Sequence, residues 1–451
     1  MDRRDLLSGA GLLTLGAAAS RWAMPILSAE KTLSIAAVGD CLITRGFLRD
    51  DPGLQPLLSI LRGADVTFGN FEMTLPDPGM YPAATGACGD LNNSVEGPMP
   101  EELRWAGFNL MSTANNHALD YGADGMFATS RKLGAAGIAY TGTGRNLQEA
   151  RAPVFYDSPA GRVALIACAS TIRSWSAATE GNGEIPGRPG LNPLRYHTRY
   201  RVDAARVETL RQLERELFPG GHGALVEPAK SEGFKFLGNE FIAGSPADVM
   251  TFPDARDLQG IVASVRRARR NADLVLVSIH AHEAHRERES PADFLRQFAH
   301  ACIDAGASVF VGHGPHVLRG IEIYNRRPIF YSLGNFIFEA EGMRQIPQEI
   351  YDTCGIAGDD PSDFFDQAMR GFADTAYWES VIAQATFQHG ELSEVWLYPV
   401  DLQRELTRAE RGMPTRANRT QSMAILDRLA RLSQAFGTKV VQDGDFGVIR
   451  I

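Results

Sequence analysis

Five apolar runs along this chain end the same way, in side chains that carry lone pairs. Leu33 to Val38 runs into Gly39-Asp40, Asp65 to Phe68 into Gly69-Asn70-Phe71-Glu72, and Asn109 to Thr113 into Ala114-Asn115-Asn116-His117. Leu274 to Ser278 runs into Ile279-His280-Ala281-His282-Glu283, and Ser308 to Val311 into Gly312-His313-Gly314-Pro315-His316. Short apolar runs rich in β-branched residues predict buried strands. Between them lie helical patterns at Pro56 to Arg62, Pro100 to Ala106, Gly125 to Ala136, Asp257 to Arg269 and Ala292 to Ala305. Strands alternating with helices predict α/β layers with a parallel-rich sheet, and such sheets bind ligands at the carboxyl ends of their strands. Glu379 to Phe387 with Leu392 to Tyr398 predicts a closing hairpin, and Thr420 to Phe436 a C-terminal amphipathic helix.

Two stretches break the alternation. Residues near 175–250 hold a Gly- and Pro-rich segment from Gly181 to Pro193, an amphipathic helix from about Val202 to Leu217 and an irregular stretch from Phe218 to Met250. We read this as an insert that forms a lid or substrate wall. Residues 340–377 are acidic, with Asp359-Asp360 and Asp363 near Phe364-Phe365, and read as a solvated loop in preference to a second lid. Residues 31–451 are thus expected to form one domain carrying two inserts.

If the five strand ends share one edge, their side chains make a divalent-metal site. Asp40 and Glu72 supply charge, Asn70 or Asn116 a carbonyl oxygen, and His280, His282, His313 and His316 nitrogen. The ion expected is Mn, Zn or Fe, as one or two ions, and its use to a hydrolase is to lower the pKa of water at the site. His117 is expected to act differently: Asp120 lies one turn beyond it, where its carboxylate would orient the imidazole and raise its pKa. A cationic imidazole there would stabilise charge or protonate a leaving group. The plainer alternative is that Asn115 caps a helix against which His117 packs. Asn335 either hydrogen-bonds across the site or shapes a buried turn, and His285 is expected to sit past its strand in solvent.

At 451 residues and 44% hydrophobic, the chain can bury one large core or two ordinary ones. Its net charge of -9 argues against nucleic acid or an anionic membrane surface as partner. The cluster Arg266-Arg267 with Arg269-Arg270 is expected on the solvated face of a helix. Arg3-Arg4 followed by an apolar stretch from Gly9 to Ala19 predicts a twin-arginine-type signal in residues 1–30, with export to the periplasm or envelope. The alternative is an uncleaved anchor, which would hold the chain near a membrane, or a disordered tail. Five cysteines without a CxxC pair or close even spacing indicate neither a disulfide framework nor a zinc site, and Cys168 and Cys302 fit apolar core patterns.

The segments VGDCLITRG, GNFEMTL, STANNHALDYG, TGTGRNLQEARAP, SIHAHE and CIDAGASVFVGHGPHVLRGIEIYNRRPIFYSLGNFIF resemble, in order, the motifs of the CapA family, capsule-synthesis proteins associated with poly-γ-glutamate. The likeness runs from about Leu33 to Phe338. It implies a calcineurin-like metallophosphoesterase fold, a four-layer α/β/β/α sandwich of two mixed sheets, and it assigns His117 the same catalytic role. Three departures stand out. Cys41-Leu42 follows Asp40 where the superfamily commonly has Asp-x-His, and His313 and His316 are one residue further apart than in Gly-His-x-His. Ala281-His282-Glu283 replaces the Trp-Gly usual after the His280 position, so His282 is a candidate for the missing ligand. The expected function is that of an exported metal-dependent hydrolase acting on an envelope or capsule polymer, or on a small phosphorylated or γ-glutamyl substrate. The alternative is a non-catalytic envelope protein that binds or helps export poly-γ-glutamate.

Overall fold

The computed structural model describes residues 32–84, 91–221, 233–343, 345–357 and 360–451. The segment read as a signal, together with Cys88, His222 and Asp359, lies outside the described residues.

The apolar runs form strands. Thr32–Leu42, Val66–Phe71, Leu110–Ser112 and Ala139–Thr141 pair in parallel and form one side of a ten-stranded mixed sheet. Thr32–Leu42 also pairs antiparallel with Glu379–Gln388 and, near its carboxyl end, parallel with Asn335–Phe338. In a six-stranded mixed sheet, Leu274–His280 lies between Gly161–Ala169 and Val309–His313, both parallel to it, with His280 opposite His313. The expected hairpin forms between Glu379–Gln388 and Glu391–Asp401, and the C-terminal helix over Arg419–Gln434.

Alternation along each strand sorts the core. Ile35, Ala37, Val66 and Phe68 share one buried cluster with Leu165, Leu274, Leu276, Val309 and Val311 of the other sheet. Ala36 and Val38 point the other way, onto Leu57, Leu58 and Leu61 of the Gln55–Gly63 helix and Leu103 of Met99–Ala106. Val275 and Val277 likewise meet Ile261 and Val265 of Ala255–Arg269 and Phe294 and Phe298 of Asp293–Asp304. The period-2 pattern therefore gives each sheet two buried faces.

Two expectations change. Residues 218–250 are not irregular throughout: Phe234–Phe236 and Asn239–Ala243 form a hairpin that joins Tyr196–Val202 and Asp248–Pro253 in a four-stranded sheet. Leu237 and Gly238 turn it with φ of 47° and 81°, the conformation usually advertised by Asn-Gly. Residues 340–377 are not a solvated loop either, since they carry helices Gln348–Cys354 and Pro361–Ala368. Asp360 caps the second through Ser362 N, Pro361 begins it, and Phe364 and Phe365 bury themselves. Cys354 is disulfide-bonded, while Cys41, Cys168 and Cys302 are buried free thiols. No helix among the described residues is long and apolar enough to cross a membrane.

The two strand ends nearest the future site touch through glycine. Asp40 N donates to Gly334 O at 3.0 Å, and a Cβ on Gly39 would lie 1.8 Å from that oxygen. Because the obstacle is backbone, Gly39→Ala should cost about 2 to 3 kcal/mol in denaturant unfolding. An unchanged unfolding midpoint would show that the Gly334 turn yields freely.

Candidate metal centre

All ten side chains singled out at the strand ends converge. Asp40, Asn70, Glu72, Asp120, His280 and His313 are fully buried, and His117, His282, His316 and Asn116 line the adjoining cavity of about 650 Å³. Ligand atoms of Asp40, His280 and His313 lie within 4.8 Å of one another, as do those of Glu72, His280 and His282, and of Asp40, Glu72 and His316.

The two carboxylates differ sharply in how they are satisfied. Asp40 Oδ1 accepts from Asn70 Nδ2 at 2.8 Å and Oδ2 from Gly314 N at 2.9 Å. It faces the Nδ1 atoms of His280, His313 and His316 at 3.6, 3.4 and 3.6 Å. Burial pushes its carboxyl up, but hydrogen bonding and charge from His280 and His313 outweigh that and hold it well below the usual range. Glu72 has neither oxygen hydrogen-bonded. Its Oε1 instead faces the Nε2 atoms of His280 at 3.6 Å and of His117 and His316 at 4.0 Å. Those gaps exceed a hydrogen bond and are close to the roughly 3.3 Å between ligands that share a tetrahedral ion at bond lengths near 2.0 to 2.1 Å. Burial, then the charge and close approach of the Asp40 carboxylate, and last the charge of Asp120, push the Glu72 carboxyl up.

The imidazoles are poised as neutral ligands. Burial pulls His280 down to about 4 despite Asp40, and it also lowers His282 and His316. His316 Nδ1 lies 2.8 Å from Asn335 Oδ1, an acceptor that fixes the tautomer with Nε2 free. His316 holds a left-handed φ of 59°, directly after the Gly314-Pro315 turn. His313 Nε2 is 2.7 Å from Ser278 Oγ, which leaves its Nδ1 toward Asp40 and His280. His280 therefore stands between two groups of ligands, with Nδ1 on the Asp40 side and Nε2 on the Glu72 side, 2.9 Å from His282 Nε2. A neutral imidazole has one lone pair and serves one ion. The unsatisfied atoms lie on the Glu72 side.

Of the two amides, Asn70 is spent on Asp40 and on Asn115 Nδ2, whereas Asn116 Oδ1 is buried without a partner. His117 Nδ1 lies 2.7 Å from Asp120 Oδ2, within a turn that precedes the Gly122–Ala135 helix and not within the helix itself. Burial raises the Asp120 carboxyl, and His117 and Arg173 oppose the shift. Asn115 caps no helix: its Oδ1 accepts from His117 N and its Nδ2 donates to Phe71 O. His285 stays away from the site, half-buried between Asp248 and Asp293. None of the cavity's lining comes from the described residues of 175–250, the first expected lid, while Phe364, Phe365, Met369 and Phe372 come from the segment read as a loop.

Several supporting residues carry no motif. Asn93 N donates to Asp120 Oδ2 at 2.6 Å, and Arg173 Nη1 lies 3.5 Å from Asp120 Oδ1. Buried Arg319 donates to His282 O at 3.0 Å and to Arg288 O at 3.0 Å, pinning the loop after Leu274–His280. A lone Arg or Asn far along the chain gives no periodic or spacing signal that would single it out.

The sequence model of the bacterial capsule synthesis protein PGA_cap matches residues 34–340, the stretch that contains all ten of the converging side chains. The chain belongs to this family. The uncharacterized protein y4uA of Sinorhizobium fredii is 36% identical over 438 residues, 93% of each chain. The capsule biosynthesis protein CapA of Bacillus anthracis is 27% identical over 69% of this chain and 61% of its own length. The PGA biosynthesis protein CapA of Bacillus subtilis is 27% identical over 69% of this chain and 64% of its own. The PGA_cap match thus ends before the two helices that cover the cavity.

An unpaired buried carboxylate is a liability without an ion. In chelator, Glu72→Gln should therefore unfold at equal or higher free energy than the wild type, by up to about 1 to 3 kcal/mol. It should also lose the stabilisation by excess Mn²⁺ or Zn²⁺, worth about 2.7 kcal/mol at one hundred times the dissociation constant. Thermal unfolding with and without cation measures both. A variant that is weakened in chelator yet still stabilised by cation would make Glu72 structural.

Proposed function

We propose that this protein is an exported, divalent-metal-dependent hydrolase of the CapA family acting on a capsule-related substrate, at a phosphoester or γ-glutamyl amide bond. The observation that carries this reading is Glu72, buried with both oxygens unpartnered and ringed by imidazole Nε2 atoms, with the His117–Asp120 pair beside it. Glu72, His280, His282 and His316 would hold one ion. Asp40 and His313 would orient the ring of His280 from behind. A divalent cation supplies Lewis acidity there and lowers the pKa of water. The shared core of the two sheets, with helices packed on both outer faces, supports the four-layer metallophosphoesterase-like sandwich.

The protein's own groups account for the remaining steps. Asp120 accepts from His117 Nδ1, so Nε2 faces the cavity, where it can protonate a leaving group or steady developing charge. Asn93 and Arg173 hold the Asp120 carboxylate in place. Asn116 Nδ2, 3.1 Å from His117 Nε2, can donate to it only while that nitrogen is unprotonated, so the amide swings off when the ring takes up the proton it delivers. A non-catalytic polymer binder needs no such dyad.

Export is supported by the disulfide at Cys354, a bond that persists in oxidising compartments. Replacing Arg3 and Arg4 with lysine should leave the protein in the cytoplasm with its fold intact, as fractionation and circular dichroism would report. Unchanged export removes the twin-arginine assignment.

His117→Ala should lower turnover about 10²- to 10⁴-fold with metal content nearly intact, whereas His282→Ala should lose metal as well. A substrate with a good leaving group needs little protonation and should recover much of the loss in the His117 variant only. Full turnover in His117→Ala would support the non-catalytic envelope protein, and equal metal loss in both variants would make His117 a ligand.

A further inference from the structure

The cavity in front of Glu72 is covered by the segment that follows Ala340, and the covering face is apolar. Phe338 and Phe372 pack edge to face with ring centroids 5.2 Å apart, and Phe372 stands 6.0 Å from the ring of His316. Met369 and Phe372 are only partly buried, so their side chains have surface left to give a ligand. The cover is anchored independently of any ligand: Trp378 Nε1 donates to Phe372 O at 2.8 Å, Arg408 pairs with Asp366, and Cys354 is disulfide-bonded. It is a wall of the site.

Charge is scarce in this cavity. Histidines aside, Glu72 is the one acidic and Arg288 the one basic side chain among its described lining residues. Arg288 is already engaged, 2.6 Å from Asp374 and 4.7 Å over the ring of Tyr377. A poly-γ-glutamate chain carries one carboxylate per residue, and threading it through a cavity of about 650 Å³ would bury several of them without partners. One anionic group can be met by an ion at Glu72, and the rest of the space favours hydrocarbon.

Resting on the metal-site reading above, we propose that this site takes a small substrate with an alkyl or aryl group next to its single anionic, scissile group. The apolar group lies against Met369 and Phe372. These two residues set specificity, and the polymer itself is excluded beyond its terminal unit.

Non-hydrolysable alkylphosphonates test this without requiring turnover. Methyl-, butyl- and octylphosphonate would be titrated calorimetrically into full-length protein loaded with Mn²⁺. A buried methylene is worth about fourfold in affinity, so butylphosphonate should bind at least about tenfold tighter than methylphosphonate. Phe372→Ala and Met369→Ala should flatten that gradient, leaving methylphosphonate affinity and metal content unchanged, and Phe372→Leu should restore most of it. Equal affinities across the series, no binding by any member, or a gradient untouched by the variants would overturn the proposal. So would oligo-γ-glutamates that bind tighter with each added residue. If the gradient holds but no phosphoester or γ-glutamyl amide is cleaved, the hydrolase reading fails and the specificity assignment stands.

Discussion

A carboxylate taken out of water needs partners, and the arrangement of this protein turns on one that accepts no hydrogen bond from the described residues. Glu72 is fully buried, its oxygens accept no hydrogen bond among the described residues, and imidazole nitrogens face it from just beyond bonding distance. Asp40, a short distance off, shows the contrast: backbone and amide donors satisfy it. Leaving a group like Glu72 unpaired costs several kilocalories per mole unless something else neutralises it. The fold supplies the setting by ending parallel strands of two facing sheets at one place, with Gly39 against Gly334 and Gly314 against Ala281 allowing the backbones to close.

Much of this was legible in the sequence. Strand ends announce themselves because an apolar run stops at Asp40, Asn70, His280 or His313, and the same periodicity located the helices to within a few residues. What the pattern could not give was the division of labour within the cluster. Asp40 and Glu72 look alike as letters; only the placement of Asn70 and of Gly314 N makes one satisfied and the other not. Arg173, Asn93 and Arg319 were silent because tertiary contact, not spacing, brings them to the site. The residue 340–377 segment misled because its acidic surface dominates its composition, while the two phenylalanines that make it a wall occupy a single buried stripe.

That wall separates fold from chemistry. The family match ends at residue 340, so the residues that would choose a substrate lie in a part of the chain its motifs do not describe. In the proposed reading the strand ends would hold an ion, and the covering segment would decide what reaches it. The same centre could therefore serve a polymer in one relative and a small amphipathic compound in another.

The central claim is that the ion belongs to Glu72 and not to Asp40. Anomalous diffraction from crystals grown with Mn²⁺ measures this directly. One peak is expected, about 2.0 to 2.3 Å from a Glu72 oxygen and from the Nε2 atoms of His280 and His316, with Asp40 still hydrogen-bonded to Asn70 and Gly314. A peak held by Asp40 and His313 instead, or no peak and a Glu72 hydrogen-bonded to protein, would contradict it.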